Sequence, residues 1–397
     1  MKRIVLGAVC LALIVAGGVT VSAQENREKT IEQRLAVYAP VQISVPWDLL
    51  DKNETAALEN LYRAGVVMDE LFLRQVWKGN VELRKALNTK GMMKELRFFN
   101  INFGPWDRIN DNEPFLGKGR IHKPDGAEFY PNDMDKKEFE NWIADHPKDR
   151  EAFEGTFTVI RRGEKPGELV AVPYSQEYKK LLGEAAGYMK RAADQTASES
   201  LAKFLRSRAA AFASNDYFQS DMDWMDVKDN LIDVTIGPYE VYEDNLFNYK
   251  AAFEAFICIR DPKESVRLDG LADYLVKMEN NLPIPDEHKN LNRGSESPIS
   301  VVDLVFSAGD TKAGVQTLAF NLPNDEKVQE AKGSKKVMLR NIIHAKFDKI
   351  LMPIAENLIA DDQLAHVTFD AYYNHILLHE FSHGLGPGRI TLADGTE

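Results

Sequence analysis

Cysteine is nearly absent from this chain. Of its two cysteines, Cys10 lies in an apolar leader, so only Cys258 remains beyond it. One thiol cannot make an internal disulfide, so the fold must stand on its core without staples. Cys258 sits in the apolar run Phe253-Glu254-Ala255-Phe256-Ile257-Cys258-Ile259, which suits a buried structural thiol. Positive charge is also short. Lys and Arg number 49 against 61 Asp and Glu, a net charge of −12 spread along the chain. That balance excludes nucleic acid and anionic membrane surfaces as partners. Beyond residue 23 no apolar run is long enough to cross a membrane, and there is neither an internal repeat nor a low-complexity tract. What remains is an ordinary globular composition, 44% hydrophobic and 28% charged, over 397 residues. That length allows two or three domain-sized units with sizeable cores.

The first residues read as an address. Lys2 and Arg3 precede an apolar run over residues 4–19, and Val21-Ser22-Ala23 places small residues at a cleavage point before a polar stretch. This is the pattern of a secretory signal peptide spanning residues 1–23 and cut near Ala23. It implies a periplasmic or secreted mature protein with no stable membrane insertion.

Downstream, residues 54–87 carry apolar side chains at three- and four-residue steps (Leu58, Leu61, Val66, Met68, Leu71, Val76), the period of an amphipathic helix. Residues 98–103 read as a short strand ended by Gly104-Pro105. Residues 157–160 and 169–172 flank a Gly- and Pro-containing turn, a hairpin signal. Residues 175–213 read as helix. Residues 231–236, 252–259, 301–307 and 316–320 read as strands. Helix is expected over 263–280, over most of 330–358 with a break or kink at Pro353, and over 369–385. Residues 290–298 are the best linker. The Gly-rich stretch from 384 to 397 completes no element, so the chain reads as stopping mid-domain.

One pentapeptide carries chemistry: His379-Glu380-Phe381-Ser382-His383. On a helix, residues four apart share a face and lie about 6 Å apart along the axis, so both imidazoles can reach one Zn²⁺. Glu380 is then placed as general base for a water held at the metal. The apolar lead-in Ile376-Leu377-Leu378 and the breaker Gly384-Leu385-Gly386-Pro387-Gly388 put the motif at a helix end. His375 lies one turn earlier, but it is about 12 Å from His383 along the axis, too far for all three to close on one ion. A third histidine of the metzincin kind would fall at Arg389, which excludes that class. Asp394 and Glu397 are the only downstream ligand types, so the third protein ligand is not evident.

These residues, taken together, resemble the dipeptidyl peptidase III family. The stretch from His379 to Gly388 is similar to the zinc helix of bacterial members that carry a five-residue motif. Ile236-Gly237-Pro238-Tyr239-Glu240-Val241-Tyr242-Glu243-Asp244 resembles the family strand with a Glu and a Tyr two apart. Asn321-Leu322-Pro323-Asn324 resembles its Asn-Ile-Pro-Asn. Asn102-Phe103-Gly104-Pro105-Trp106-Asp107-Arg108 and Phe129-Tyr130-Pro131 look like further marks of the bacterial subgroup.

The resemblance implies an α+β, two-lobed fold. A lower lobe over 24–345 would have a mixed β-barrel core with helices, and its 263–298 segment would be a helical excursion to the other lobe. A mostly helical zinc-binding lobe would begin at 346. It further implies a zinc exopeptidase that releases dipeptides from oligopeptides. Glu240 would hold the substrate's free amino end, Tyr242 would support the scissile carbonyl, and Asn321 and Asn324 would bind the peptide backbone. Residue types agree: a carboxylate pairs with an ammonium, a phenol donates to an oxyanion, and residues two apart on a strand share a face. The family's second zinc motif, a pair of Glu residues further along, has no match here, so the metal site is expected to be incomplete in this chain. Two rivals stand beside this reading: an aminopeptidase or oligopeptidase of other cut spacing, and a secreted peptide-binding protein without catalysis.

Overall fold

The computed structural model describes residues 29–116, 121–260, 272–289, 299–382 and 385–386. The signal peptide, the 290–298 linker, the first part of the 263–298 excursion, His383, and the tail with Arg389, Asp394 and Glu397 lie outside the described residues.

The longest helix, α1 (Lys52–Val76), starts where the Asp51 carboxylate accepts from the backbone N–H groups of Asn53 and Glu54. Its buried stripe includes Leu58, Leu61, Met68, Leu71 and Val76; Val66 faces outward and its neighbour Val67 turns in. Residues 98–103 are not a strand but the end of helix α2 (Met93–Asn102), so the expectation of a strand there is corrected. The alternating Phe98-Phe99 and Ile101-Phe103 pattern is too short to separate the two periods. Tertiary burial of Phe98 and Phe99 decided for helix. The helix ends at Phe103, which takes a left-handed conformation (φ 53°) before Gly104-Pro105.

Strands β1 (Thr158–Arg162) and β2 (Leu169–Pro173) form the expected hairpin. The expected helical stretch that follows includes α3 (Lys179–Ala193) and α4 (Glu199–Ser214). Helix α5 (Phe218–Met225) leads into the central sheet. That sheet holds β3 (Ile232–Pro238), β4 (Phe253–Arg260), β5 (Ile299–Gly309), β6 (Ala319–Leu322) and β7 (Lys335–Leu339), in the spatial order β3-β4-β5-β7-β6. The β5–β7 pair is parallel and the others antiparallel. Helix α6 (Ala272–Asn280) lies between β4 and β5 in sequence.

Strand β7 falls inside the stretch read as helix over 330–358, a second correction. Lys335 and Lys336 there are buried, and their charges obscured a fully buried strand. Burial lowers the Lys335 ammonium to about 8, and its bond to the Trp224 carbonyl at 2.8 Å offsets part of that cost. After β7 the chain forms α7 (Arg340–Lys346), a π-helical turn at Phe347–Leu351, and α8 (Met352–Leu358). Pro353 does not break this run. It sits in the first turn of α8, where its missing N–H costs little, directly after the wide π turn.

Both faces of the sheet are covered, which is why its strands read as near-continuous apolar runs. One face carries Phe256, Cys258, Val302, Leu304, Val337 and Leu339. Cys258 is buried there, and burial pushes its thiol well above the ordinary range. The other face receives α1, with Gly65 against Ile257 and Phe306. Helix α9 (Phe369–Ser382) lays Tyr373, Ile376 and Leu377 on Val301, Met338 and Ile343. Truncating a buried side chain such as Ile376 to Ala costs roughly 2–5 kcal/mol.

The sheet is rolled. Asn324, just past edge strand β6, is hydrogen-bonded to Tyr239, just past edge strand β3. Four strand spacings would part those edges by about 19 Å in a flat sheet. The rolled sheet is the counterpart of the expected barrel core, although among the described residues no backbone ladder joins β3 to β6. No described helix is long and apolar enough to cross a membrane.

Candidate active site

Helix α9 carries His379 and Glu380 of the pentapeptide singled out in the sequence. Its sequence places apolar residues at 373, 376 and 377, and these bury against the sheet. His375, Leu378, His379 and Ser382 consequently point away from it. Ser382 donates its hydroxyl to the Leu378 carbonyl at 2.6 Å, closing the last turn. Just past the helix, the Gly386 N–H donates to the carboxylate of Glu279 on α6 at 2.8 Å. That bond ties the post-helix segment to the expected helical excursion.

Among the described residues no three metal-binding side chains converge. The donor chemistry of the helix end nevertheless suits zinc: an imidazole on the outward face, with the carboxylate of Glu380 beside it. His383 lies outside the described residues.

Strand alternation decides where Asn321 goes. Asn321 pairs with Lys336, two residues from the Ala319–Met338 pair. It therefore shares the face of Met338, the face that α9 covers. Among the described residues the Asn321 side-chain oxygen is buried with no hydrogen-bond partner. Such an acceptor is costly to leave unmade, and an N–H donor of a bound group would satisfy it.

Glu240 and Asn324, 84 positions apart, come together. Asn324 donates its amide nitrogen to the Tyr239 carbonyl at 3.1 Å, and its side chain lies close enough to the Glu240 carboxyl to favour the ionised form. The bond to Tyr239 uses the nitrogen, so the side-chain oxygen remains an acceptor. Burial raises the Glu240 carboxyl above its ordinary range, and the Asn324 side chain opposes that rise.

The shared strand face expected for Glu240 and Tyr242 is corrected. Strand β3 ends at Pro238. Only the backbone bonds Tyr239 N–H to Ala252 O (3.2 Å) and Ala252 N–H to Glu240 O (2.8 Å) prolong the pairing. The chain then turns, because Asp244 gathers the N–H groups of Leu246, Phe247, Tyr249 and Lys250 and the Tyr130 hydroxyl. Tyr242 lies in that turn, 75% exposed, apart from the Glu240–Asn324 pair.

Sequence reading missed the ionic network beside Glu240. Asn102 accepts from the Arg108 backbone N–H at 3.0 Å through its side chain and from Arg108 Nε at 2.7 Å through its carbonyl. This folds the Gly104-Pro105 turn and aims Arg108 at Glu243, whose oxygens lie 2.8 and 3.2 Å from the guanidinium. Lys123 reaches the same carboxylate at 2.9 Å. Burial resists ionisation of Glu243, but the two cations outweigh it and hold the carboxyl at about 2. Asp310, at the end of β5, goes the other way. Burial first, then the Glu243 carboxylate, push it up to about 7, with Arg108 opposing. Glu254 on β4 is raised further by burial and by Asp310 and Glu240. The only signal in the sequence was that Arg108 and Glu243 both fall in segments singled out by resemblance.

A rolled mixed sheet with a zinc-type helix on one face and a carboxylate–amide pair at its seam defines a peptidase-like site. The sequence model of Peptidase family M49 matches residues 132–396, and the chain belongs to that family. A solved structure of DPP III from Caldithrix abyssi is 57% identical, with a TM-score of 0.87, over 91% of this chain and 69% of that one. The dipeptidyl-peptidase III structure from Corallococcus sp. strain EGB is 44% identical, with a TM-score of 0.86, over 92% of this chain and 68% of that one. The Arabidopsis thaliana protein named Nudix hydrolase 3 is 37% identical across 94% of this chain and 54% of its own length. This chain thus spans about half the length of that curated relative.

Proposed function

We propose that this chain carries the peptide-binding sheet and the zinc helix of an extracytoplasmic exopeptidase that releases dipeptides from the N-terminus of oligopeptides. The observation that carries the reading is the Glu240–Asn324 pair at the seam of the rolled sheet, with Asn321 on the face that α9 covers. Family membership and the two dipeptidyl peptidase III structures support it.

In this reading the substrate's α-ammonium pairs with Glu240, which stops the peptide two residues from the cut. The peptide adds along edge strand β6, where Asn321 and Asn324 take its backbone groups. His379 and His383 would hold zinc, and no third protein ligand is evident among the described residues. When bound there, zinc supplies a Lewis acid for the scissile carbonyl and acidifies water. Glu380 accepts a proton from the attacking water, and Tyr242 donates to the developing oxyanion. For Tyr242 this requires its exposed side chain to rotate toward the peptide, because Glu243 and Asp244 hold the backbone of the turn. The leader pattern at residues 1–23 supports export, tested by the N-terminal mass of the mature protein.

Product masses from an unblocked hexapeptide test the activity. Successive dipeptides are expected. Single amino acids would replace this reading with an aminopeptidase, and peptide binding without cleavage would replace it with the binding-protein rival.

A further inference from the structure

We infer that Arg208, buried behind β3 and touching no expected substrate group, is the positioning residue that sets Glu240 for the peptide's amino end. The inference rests on the proposed amine-binding role of Glu240.

Arg208 projects from α4 and is 0% exposed. One guanidinium nitrogen pairs with Asp221 on α5. The rest of the group lies among three rings, with its central carbon 5.5 Å from the centroid of Phe204, 5.3 Å from Tyr217 and 5.4 Å from Tyr239. Such a planar cation against ring faces is stiff and directional.

Its other neighbour is the strand end itself. Gly237 has φ 152°, and a Cβ there would lie 2.5 Å from Arg208 Nη1, so only glycine lets β3 approach this closely. The contacted segment runs directly into the site. Tyr239 stacks on the guanidinium, its carbonyl accepts from Asn324, and Glu240 follows directly, its carboxyl within the influence of the same Asn324 side chain. Arg208 thus fixes the segment from Gly237 to Glu240 from behind, and Asn324 fixes it from in front. An ion pair alone would need only a charge. The three rings and the glycine are explained by a requirement for the flat guanidinium in one orientation.

The test compares binding of two C-terminally labelled tetra-alanine peptides, one with a free amino end and one N-acetylated. It uses the full chain with Glu380→Gln, so that neither peptide is consumed. Arg208→Lys keeps the charge beside Asp221 but loses the plane. Arg208→Met with Asp221→Leu removes both charges and guards against an unpaired buried carboxylate. Zinc affinity by chelator competition and the circular dichroism spectrum serve as controls.

Wild type is expected to favour the free-amine peptide. In both variants that preference should fall about tenfold, the equivalent of 1.4 kcal/mol. Binding of the acetylated peptide, zinc affinity and helix content should hold. Loss of both peptides and zinc together would make Arg208 merely structural and overturn the inference. A preserved preference in either folded variant would overturn it too. If wild type itself shows no preference, the amine-binding role of Glu240 fails first, and the Arg208 inference with it.

Discussion

Asn324 donates to the carbonyl oxygen of Tyr239 at 3.1 Å, and this one bond joins the segments that follow the two edge strands of the sheet. It holds the seam of the rolled sheet directly beside Glu240, and the same Asn324 side chain opposes the rise that burial imposes on the Glu240 carboxyl.

Asn324→Ala should therefore act on affinity rather than on the fold. Loss of its proposed bonds to the peptide backbone is worth about 1–2 kcal/mol of binding. A five- to thirtyfold weaker KM for unblocked peptides is expected, with the thermal midpoint nearly unchanged because the side chain is exposed. An unchanged KM would remove Asn324 from the site.

The zinc helix gives a prediction with two readouts. His379→Ala should abolish stoichiometric zinc, measured by elemental analysis after dialysis. Glu380→Gln should leave zinc bound while turnover drops roughly 100- to 10,000-fold, the usual weight of a general base. Zinc retained at full stoichiometry in His379→Ala would show that the helix is not the metal site.

Two carboxyls of one network should tilt stability in opposite directions with pH. Glu243 is held at about 2, below its ordinary 4.5. Its stabilisation is complete above pH 4.5 and is lost as pH falls toward 2. Asp310 is raised from 3.8 to about 7, so the folded chain keeps a proton that the unfolded chain releases. Stability should therefore decline as pH climbs from about 4 to about 7. Denaturant midpoints for Asp310→Asn should show a flatter profile over that range than wild type. Equal slopes would mean that Asp310 ionises normally.

Gly309 offers a test of the sheet end. Its φ is 70°, and a Cβ would lie 2.0 Å from the Phe253 carbonyl oxygen. Its N–H also donates to Asp69 at 2.7 Å. Backbone cannot move aside as a side chain can, so Gly309→Ala should destabilise by about 3 kcal/mol or more. Gly167→Ala, where φ is 79° but nothing lies within 4 Å, should cost visibly less. Similar losses at both sites would mean that strain alone, not the clash, sets the cost.

Patterns with a local cause were legible in the sequence. The three- and four-residue apolar step gave α1, the Gly-Pro turn gave the β1–β2 hairpin, and the four-residue spacing placed His379 with Glu380 at a helix end. Other features depended on distant partners. Phe98 and Phe99 are helical because of what buries them, and Lys335 and Lys336 lie in a buried strand because the surrounding fold gives their charges a place. Glu240 and Tyr242 parted company because Asp244 collects five donors and turns the chain. The meeting of Glu240 with Asn324, the buried Arg108–Glu243–Lys123 network and the Arg208 backing join residues 13 to 135 positions apart. The sequence by itself determined the chemistry available: a zinc-type helix, carboxylates, amides and an apolar frame. Only the tertiary structure decided which of them meet, because rolling a sheet until its edges touch depends on packing over its whole surface and leaves no mark in any one segment.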